Sequence, residues 1–242
     1  MEGPSLRAIA EELSFLEKAN VAKVSGNTKA GKEQLKGKEI KRIYAVGKRL
    51  VIEFDSLAVV IHFLMFGSYR LNERREGMVP RLSLSLNGSE LNFYNCSLKI
   101  IPVRDLPALD QRSDILNPEF DRKRALEETR RYEGMIADLL LDQDVFGGVG
   151  NIIKNEALYA AAIHPASASK SIRVEKTEAL IEETIRFSNA FYLVKKRRGL
   201  LKPILKVYRK RICDQCRSPI QAKKMGKRRR MTFFCPNCQV LY

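Results

Sequence analysis

Four cysteines close to the end of the chain constrain its fold more than any other feature. They read Cys213-Asp214-Gln215-Cys216 and, eighteen residues on, Cys235-Pro236-Asn237-Cys238. A CxxC pair lets two thiolates close on one metal from a tight turn, and two such pairs complete a tetrahedral four-thiolate zinc site. A redox dithiol is the weaker reading, because the motif occurs twice and lies in no βαβ context. A disulfide framework is disfavoured by five cysteines in 242 residues and by the lack of a secretory signal ahead of them. Four thiolates leave no open position for water, so the one zinc ion expected here is structural.

The surroundings of the cysteines say what such a metal would scaffold. From Phe191 to Tyr242 there are sixteen Lys and Arg against one acid, Asp214, a local net of +15 out of +16 for the whole chain. Lys223-Lys224-Met225-Gly226-Lys227-Arg228-Arg229-Arg230 runs straight into Met231-Thr232-Phe233-Phe234-Cys235. This predicts a zinc-stapled β-hairpin whose turn presents cations to a polyphosphate. A charge run is ordinarily a solvated face; pinned by metal and unbalanced by acids, this one favours nucleic acid. An anionic membrane surface is the weaker option, since no amphipathic anchor or lipidation motif accompanies the charge. The longest apolar runs are strand-length, so no segment is predicted to span a bilayer, and a cytoplasmic, nucleoid-associated chain is expected. With 45% apolar residues the chain can bury a core, and 242 residues allow two domains.

Pro4 to Lys18 reads as an amphipathic helix, with Leu6, Ile9, Leu13 and Leu16 on one face and Met1-Glu2-Gly3 as a stub before it. The period then switches to strands at Ile40–Val46, Leu50–Phe54, Ala58–Leu64, Tyr69–Leu71 and Leu82–Leu86. Asn87-Gly88 is a hairpin turn into Glu90–Tyr94, and Lys99–Val103 closes the set with Pro102 at an edge or end. After Pro107 helices are predicted from Asn117-Pro118-Glu119, over Glu133–Leu141, over Ile152–Ala162 and over Lys176–Leu193. Ahead of the third, Gly147-Gly148-Val149-Gly150-Asn151 forms a tight turn whose backbone N–H groups, with the Asn151 amide, can hold a phosphate. Many helix pairs use such a turn for packing alone.

In order and spacing these pieces resemble the formamidopyrimidine-DNA glycosylase and endonuclease VIII family of base-excision repair enzymes, over nearly the whole chain. The resemblance is carried by Met1-Glu2-Gly3-Pro4-Ser5-Leu6, Gly47-Lys48 and His62-Phe63-Leu64-Met65-Phe66-Gly67. It continues in Leu140-Leu141-Asp142-Gln143, Gly148-Val149-Gly150-Asn151-Ile152, Glu156-Ala157-Leu158, Ile163-His164-Pro165, Val207-Tyr208 and Arg230 to Cys235. It implies an α+β fold: a β-sandwich with an N-terminal helix over 1–112, a helical helix–two-turn–helix domain over 113–205, and a zinc-finger hairpin over 206–242. It also implies a monomeric DNA glycosylase and AP lyase acting on duplex DNA with a damaged base or abasic site. By the same resemblance the N-terminal amine attacks C1′ of the flipped-out nucleotide and forms a Schiff base, Glu2 shuttles the proton and Lys48 contacts the sugar or phosphate. Asn151 and Arg230 clamp flanking phosphates, Met65 wedges into the gap, and Cys213, Cys216, Cys235 and Cys238 hold zinc.

Set against those roles are plainer ones. Lys48 reads as a solvated turn lysine, Met65 as core, His62 and His164 as structural hydrogen-bonding residues, Cys96 as a buried thiol, and Glu156 as an orienting, surface or capping residue. The chain also departs from the family, most members of which begin Met-Pro-Glu. Met1 here takes the place of the proline nucleophile, and Glu2 keeps its position before Gly3-Pro4. An α-amine suits the task, since its ordinary pKa of about 7.7–8.0 leaves roughly a third neutral near pH 7.5. At Asn95-Cys96-Ser97-Leu98-Lys99-Ile100 some relatives carry an arginine-rich loop, and Tyr192–Lys206 is short for a loop capping an oxidised purine. Both points favour oxidised pyrimidines or ring-opened bases. The missing proline also admits a catalytically silent binder of damaged or bent DNA, and the basic tail admits an RNA-binding zinc protein.

Overall fold

The N-terminal apolar stripe folds as helix α1 (Gly3–Leu13), followed by a 3-10 turn over Ser14–Leu16, in the computed structural model, which describes residues 1–108 and 111–242. It stops short of the predicted Lys18 because that residue takes a left-handed φ of 70°. Two units emerge, Met1 with Leu6–Leu109 and Glu2–Ser5 with Asp110–Tyr242.

In the first unit, Leu6, Ala10, Leu13 and Leu16 share a core with Leu50, Ile52, Ile61 and Phe93. The strands are β1 (Val21–Ser25), β2 (Arg42–Val46), β3 (Arg49–Glu53), β4 (Leu57–Leu71), β5 (Leu82–Leu86) and β6 (Ser89–Pro102). They form one sheet of six in the order β1-β5-β6-β4-β3-β2, each neighbouring pair antiparallel. Residues alternate across β3, so Leu50 and Ile52 enter the main core while Val51 joins Ala58 and Leu106 in a second cluster. The strands expected separately at Ala58–Leu64 and Tyr69–Leu71 are two halves of β4, and Glu90–Tyr94 and Lys99–Val103 belong to β6. The halves of β4 meet at a bulge: Phe63 pairs with Cys96 and Ser68 with Tyr94, which leaves Leu64–Gly67 opposite Asn95 alone.

In the second unit, α2 (Arg122–Arg131), α3 (Ile136–Leu139), α4 (Asn151–Ala160) and α5 (Val174–Lys196) gather Ile136, Leu139, Phe146, Ile153, Leu180 and Phe191 into one core. α2 starts later than predicted. Asn117 Oδ1 accepts from Glu119 N–H at 2.9 Å in a turn of its own, and Asp121 supplies the N-cap by accepting from Arg124 N–H at 3.0 Å. The helix expected over Glu133–Leu141 shrinks to α3 because Met135 is extended and bridges to Ala168. β7 (Gln221–Met225) and β8 (Arg230–Phe234) make the antiparallel hairpin. Among the described residues no helix is long and apolar enough to cross a membrane.

Candidate functional site

The glycine turn ahead of α4 closes on the start of the chain. Gly148 sits at φ +88°, a conformation that glycine adopts without penalty, and its carbonyl accepts from Gly3 N–H at 2.9 Å. Gln143 holds the turn from inside, donating to the carbonyls of Leu141 and Val149 at 2.9 and 3.2 Å and accepting from Gly148 N–H at 3.2 Å. The Glu2 carboxylate then takes the N–H groups of Ile152 and Ile153 at 2.7 and 3.2 Å. The anion at the N-terminus of α4 is therefore Glu2 itself, where the free N–H groups and the helix dipole both favour negative charge. The N–H groups of Ile152 and Ile153, two of the backbone donors expected to hold a phosphate, are thus taken by Glu2.

Gly150 is required by this seat for a steric reason. Its backbone is extended, which any residue tolerates, but a Cβ there would fall 2.4 Å from Cγ and Cδ of Glu2. Gly150→Ala is expected to push the carboxylate off the helix end. Loss of such a cap costs on the order of 1 kcal/mol, read as a lower urea midpoint.

One face of α4 grips the hairpin. Asn151, Lys154 and Asn155 lie at i, i+3 and i+4, and they meet three successive residues of β8. Asn151 Nδ2 donates to the Met231 carbonyl at 2.9 Å, Lys154 Nζ to Thr232 Oγ1 at 2.8 Å, and Phe233 N–H to Asn155 Oδ1 at 2.8 Å. Asn151 Oδ1 is buried with no hydrogen-bond partner among the described residues. Arg230, exposed at the first position of β8, is thus held next to the start of α4. The turn before it is docked as well: the Asp138 carboxylate accepts Lys227 N–H at 3.0 Å, and Arg228 donates to the Leu141 carbonyl at 3.2 Å. Lys154 and Asn155 were not singled out in the sequence, where polar residues on a helix read as its solvated side.

The four cysteines converge. Their sulfurs lie within 4.8 Å of one another, with Cys213 and Cys238 3.7 Å apart and Cys216 and Cys235 3.4 Å apart. A metal–sulfur bond of about 2.3 Å puts the corners of a regular tetrahedron about 3.8 Å apart, so the donor set fits one four-coordinate ion. Cys213 and Cys235 are buried, and the Tyr159 hydroxyl lies 3.1 Å from Cys213 Sγ, where it can donate to a thiolate. Glu156 is buried, not a surface residue. It accepts from the N–H groups of Lys206, Val207 and Tyr208 at 2.8, 3.1 and 2.8 Å, which ties α4 to the segment leading into the first knuckle. Burial pushes its carboxyl up, against the pull of those three donors. His164 is structural: its ring packs edge-on against Phe234 at 4.5 Å, and its Nδ1 accepts from Ala166 N–H at 3.2 Å.

In the first unit, Lys48 lies half-buried at the turn between β2 and β3, and its carbonyl is 3.0 Å from His62 Nδ1 on β4. The bulge three residues further along β4 is exposed and apolar. Met65 is 69% exposed and Phe66 86%, with Leu64 also open to solvent, which overturns a core position for Met65. Phe66 takes φ +62°, a conformation costing a β-carbon residue about 1–2 kcal/mol, and Asn95 Nδ2 fixes the bulge through the Met65 carbonyl. Asn95–Ile100 is continuous strand in β6, paired with β4 on one side. Cys96 is buried, and burial pushes its thiol up to about 11.

Two family models match the chain: the formamidopyrimidine-DNA glycosylase N-terminal domain over residues 6–96 and the formamidopyrimidine-DNA glycosylase H2TH domain over residues 113–190. Mouse endonuclease 8-like 3 is 36% identical over 205 residues, covering 81% of this chain and 34% of that protein. Bovine endonuclease 8-like 2 is 37% identical over 193 residues, covering 74% of this chain and 57% of its own length. The chain thus spans about a third to just over half of these relatives. The crystal structure of Lactococcus lactis formamidopyrimidine-DNA glycosylase, non-covalently bound to DNA containing an AP site, matches with a TM-score of 0.88 over 99% of both chains at 25% identity. The N-terminal sheet with its helix, the helical domain and the four-cysteine hairpin are the parts of that fold, and the chain belongs to the formamidopyrimidine-DNA glycosylase and endonuclease VIII family.

Proposed function

We propose that this chain is a monomeric base-excision DNA glycosylase with AP lyase activity, acting on duplex DNA that carries an oxidised base or an abasic site. The observation that carries the reading is the seat of Glu2: a carboxylate fixed by two backbone donors at a helix N-terminus, directly beside residue 1. In a polypeptide that begins at Met1, its α-amine attacks C1′ of the damaged nucleotide, the C1′–N bond breaks and the base leaves with a proton. Glu2 accepts and returns protons at this centre. The C1′–O4′ bond then opens to give a Schiff base at C1′, which makes the C2′ proton acidic, and removal of that proton expels the 3′ phosphate by elimination. Lys48 holds the sugar or phosphate of the target nucleotide, and Met65, with Leu64 and Phe66 beside it, fills the gap left in the stack. The continuous strand at Asn95–Ile100 supports a preference for oxidised pyrimidines or ring-opened bases.

The metal is zinc, bound by Cys213, Cys216, Cys235 and Cys238. It supplies no chemistry to the reaction and holds Arg230 in place. The division into segments 1–112, 113–205 and 206–242 assigns one task to each, namely chemistry, the helical half of the clamp and the cationic half. Such a chain works in the cytoplasm, on the nucleoid. Borohydride reduction in the presence of abasic duplex tests the activity. A covalent complex is expected, whereas a chain that binds the duplex and is never trapped is the silent binder. Arg230→Ala is expected to weaken binding to all sequences alike and to lower the slope of log K against log salt by about one unit. A salt titration of affinity reads both.

A further inference from the structure

Lys154 is 1% exposed, an unusual place for an ammonium group. It has three N–H donors, and its one hydrogen bond among the described residues is to Thr232 Oγ1 at 2.8 Å. The Thr232 hydroxyl donates in turn to the carbonyl of Arg230 at 3.1 Å. The charged groups that face the ammonium come from three further elements: Asp138 of α3 and Glu2 of the N-terminal segment attract it, and Arg230 of β8 repels it. Burial, with Arg230 acting in the same direction, outweighs the two carboxylates and brings its pKa down to about 8. Holding α4 to β8 does not need a charge at this position, because Asn151 and Asn155 already bond the strand on either side of it. A methionine would fill the same space.

We propose that Lys154 is the buried cation of the phosphate clamp, a positioning residue that takes up a proton when a DNA phosphate docks on Arg230 and Asn151. This rests on the reading of those two residues as the clamp. In the unbound protein the repulsion from Arg230 and the loss of hydration both oppose the charge on Lys154. A phosphate seated on Arg230 offsets that repulsion and adds an attraction through a medium of low dielectric, so the charged form is favoured in the complex. The proton comes from solvent. Because the pKa is raised on binding, the stabilisation is complete below the pKa of the free protein and is lost as pH rises through that of the complex.

Affinity for a duplex carrying a tetrahydrofuran abasic analogue tests this, measured by anisotropy from pH 7 to 9.5 at constant ionic strength. Wild type, Lys154→Met and Lys154→Arg are compared, with zinc content and urea midpoint checked for each. Wild type is expected to lose affinity above pH 8 with a slope approaching tenfold per pH unit for one linked proton. Lys154→Met is expected to bind less tightly at pH 7 and to lack that component. Lys154→Arg is expected to bind tightly and also to lack it, since a guanidinium stays charged throughout. The Met1 amine titrates in the same range but is common to all three proteins, so the differences isolate Lys154. A profile unchanged in Lys154→Met, or parallel to wild type in Lys154→Arg, overturns the proposal. Should both variants lose zinc, calorimetry on wild type in two buffers of different ionisation heat decides: net proton uptake at pH 8 supports it, and none overturns it. A wild type that binds no duplex removes the clamp reading itself, a distinct outcome from binding with the wrong pH profile.

Discussion

A polypeptide with one extra residue ahead of Met1 is expected to bind abasic duplex normally and to give no borohydride-trapped complex. The reason lies in how residues 2 and 3 are fixed. Glu2 is held by the N–H groups of Ile152 and Ile153, and Gly3 N–H is bonded to the Gly148 carbonyl, so the amine of residue 1 has one position set from behind it. Adding a residue moves the attacking nitrogen by up to about 3.8 Å, the span of one peptide unit. It also replaces the Met1 amine with an amide, which is no nucleophile. A misplacement of about 1 Å already costs on the order of 10²-fold in an oriented reaction, so the fall expected is larger than that. Acetylating the amine is expected to have the same effect without changing chain length. Gel analysis of the reduced complex, beside an anisotropy measurement of binding, separates chemistry from affinity. Trapping by the extended protein would move the nucleophile elsewhere, with Lys48 the first candidate.

Cys235→Ser is expected to abolish metal binding and to cost most of the DNA affinity while the six-stranded sheet stays folded. Cys235 is buried at the end of β8, and its N–H is bonded to Gln239 Oε1 at 2.8 Å, so the site is part of the hairpin's own core. Among the described residues its apolar cluster comprises Tyr159, Val207, Cys213 and three partly buried neighbours, too little apolar surface to order a segment carrying so many like charges. Metal binding at a site of four thiolates contributes on the order of 10 kcal/mol, and without it the hairpin loses both its order and its grip on α4. Exchange protection of the amides in β7 and β8 is expected to vanish while that of β3 and β4 persists. Retention of wild-type affinity by a zinc-free variant would separate the hairpin from the DNA clamp.

What was legible in the sequence was local. Two CxxC pairs specify a site through spacing alone, and the glycine turn with Asn151 marks the start of α4 to within one residue. Contacts made over long separations were not legible. Glu2 and Ile152 are 150 residues apart, and nothing in either segment announces that one caps the other. Lys154 and Asn155 look like solvent-facing helix residues because period-3.6 reasoning sees polarity and not the strand that covers it. The strand at Val21–Ser25 was missed because only one of its five residues is buried. The halves of β4 were read as separate strands since the bulge at Leu64–Gly67 breaks the alternation on which strand reading depends. Phe66 shows the same limit: neither its exposure nor its left-handed backbone could be inferred from an apolar residue in an apolar run.

The seat of Glu2 also has a bearing on synthesis. Translation proceeds at about 5–20 residues per second, so the first residues of this chain wait on the order of 10–30 s before Ile152 and Ile153 exist to receive them, and longer before these clear the ribosome. Throughout that interval the β-sheet unit can gather its own core, but the Glu2 carboxylate lacks the two backbone donors of α4. On the role proposed for Glu2, chemical competence therefore arrives late, when Ile152 and Ile153 seat its carboxylate. A product truncated before α4 has no seat for Glu2 and, on the role proposed for that carboxylate, is expected to give no borohydride-trapped complex with abasic duplex.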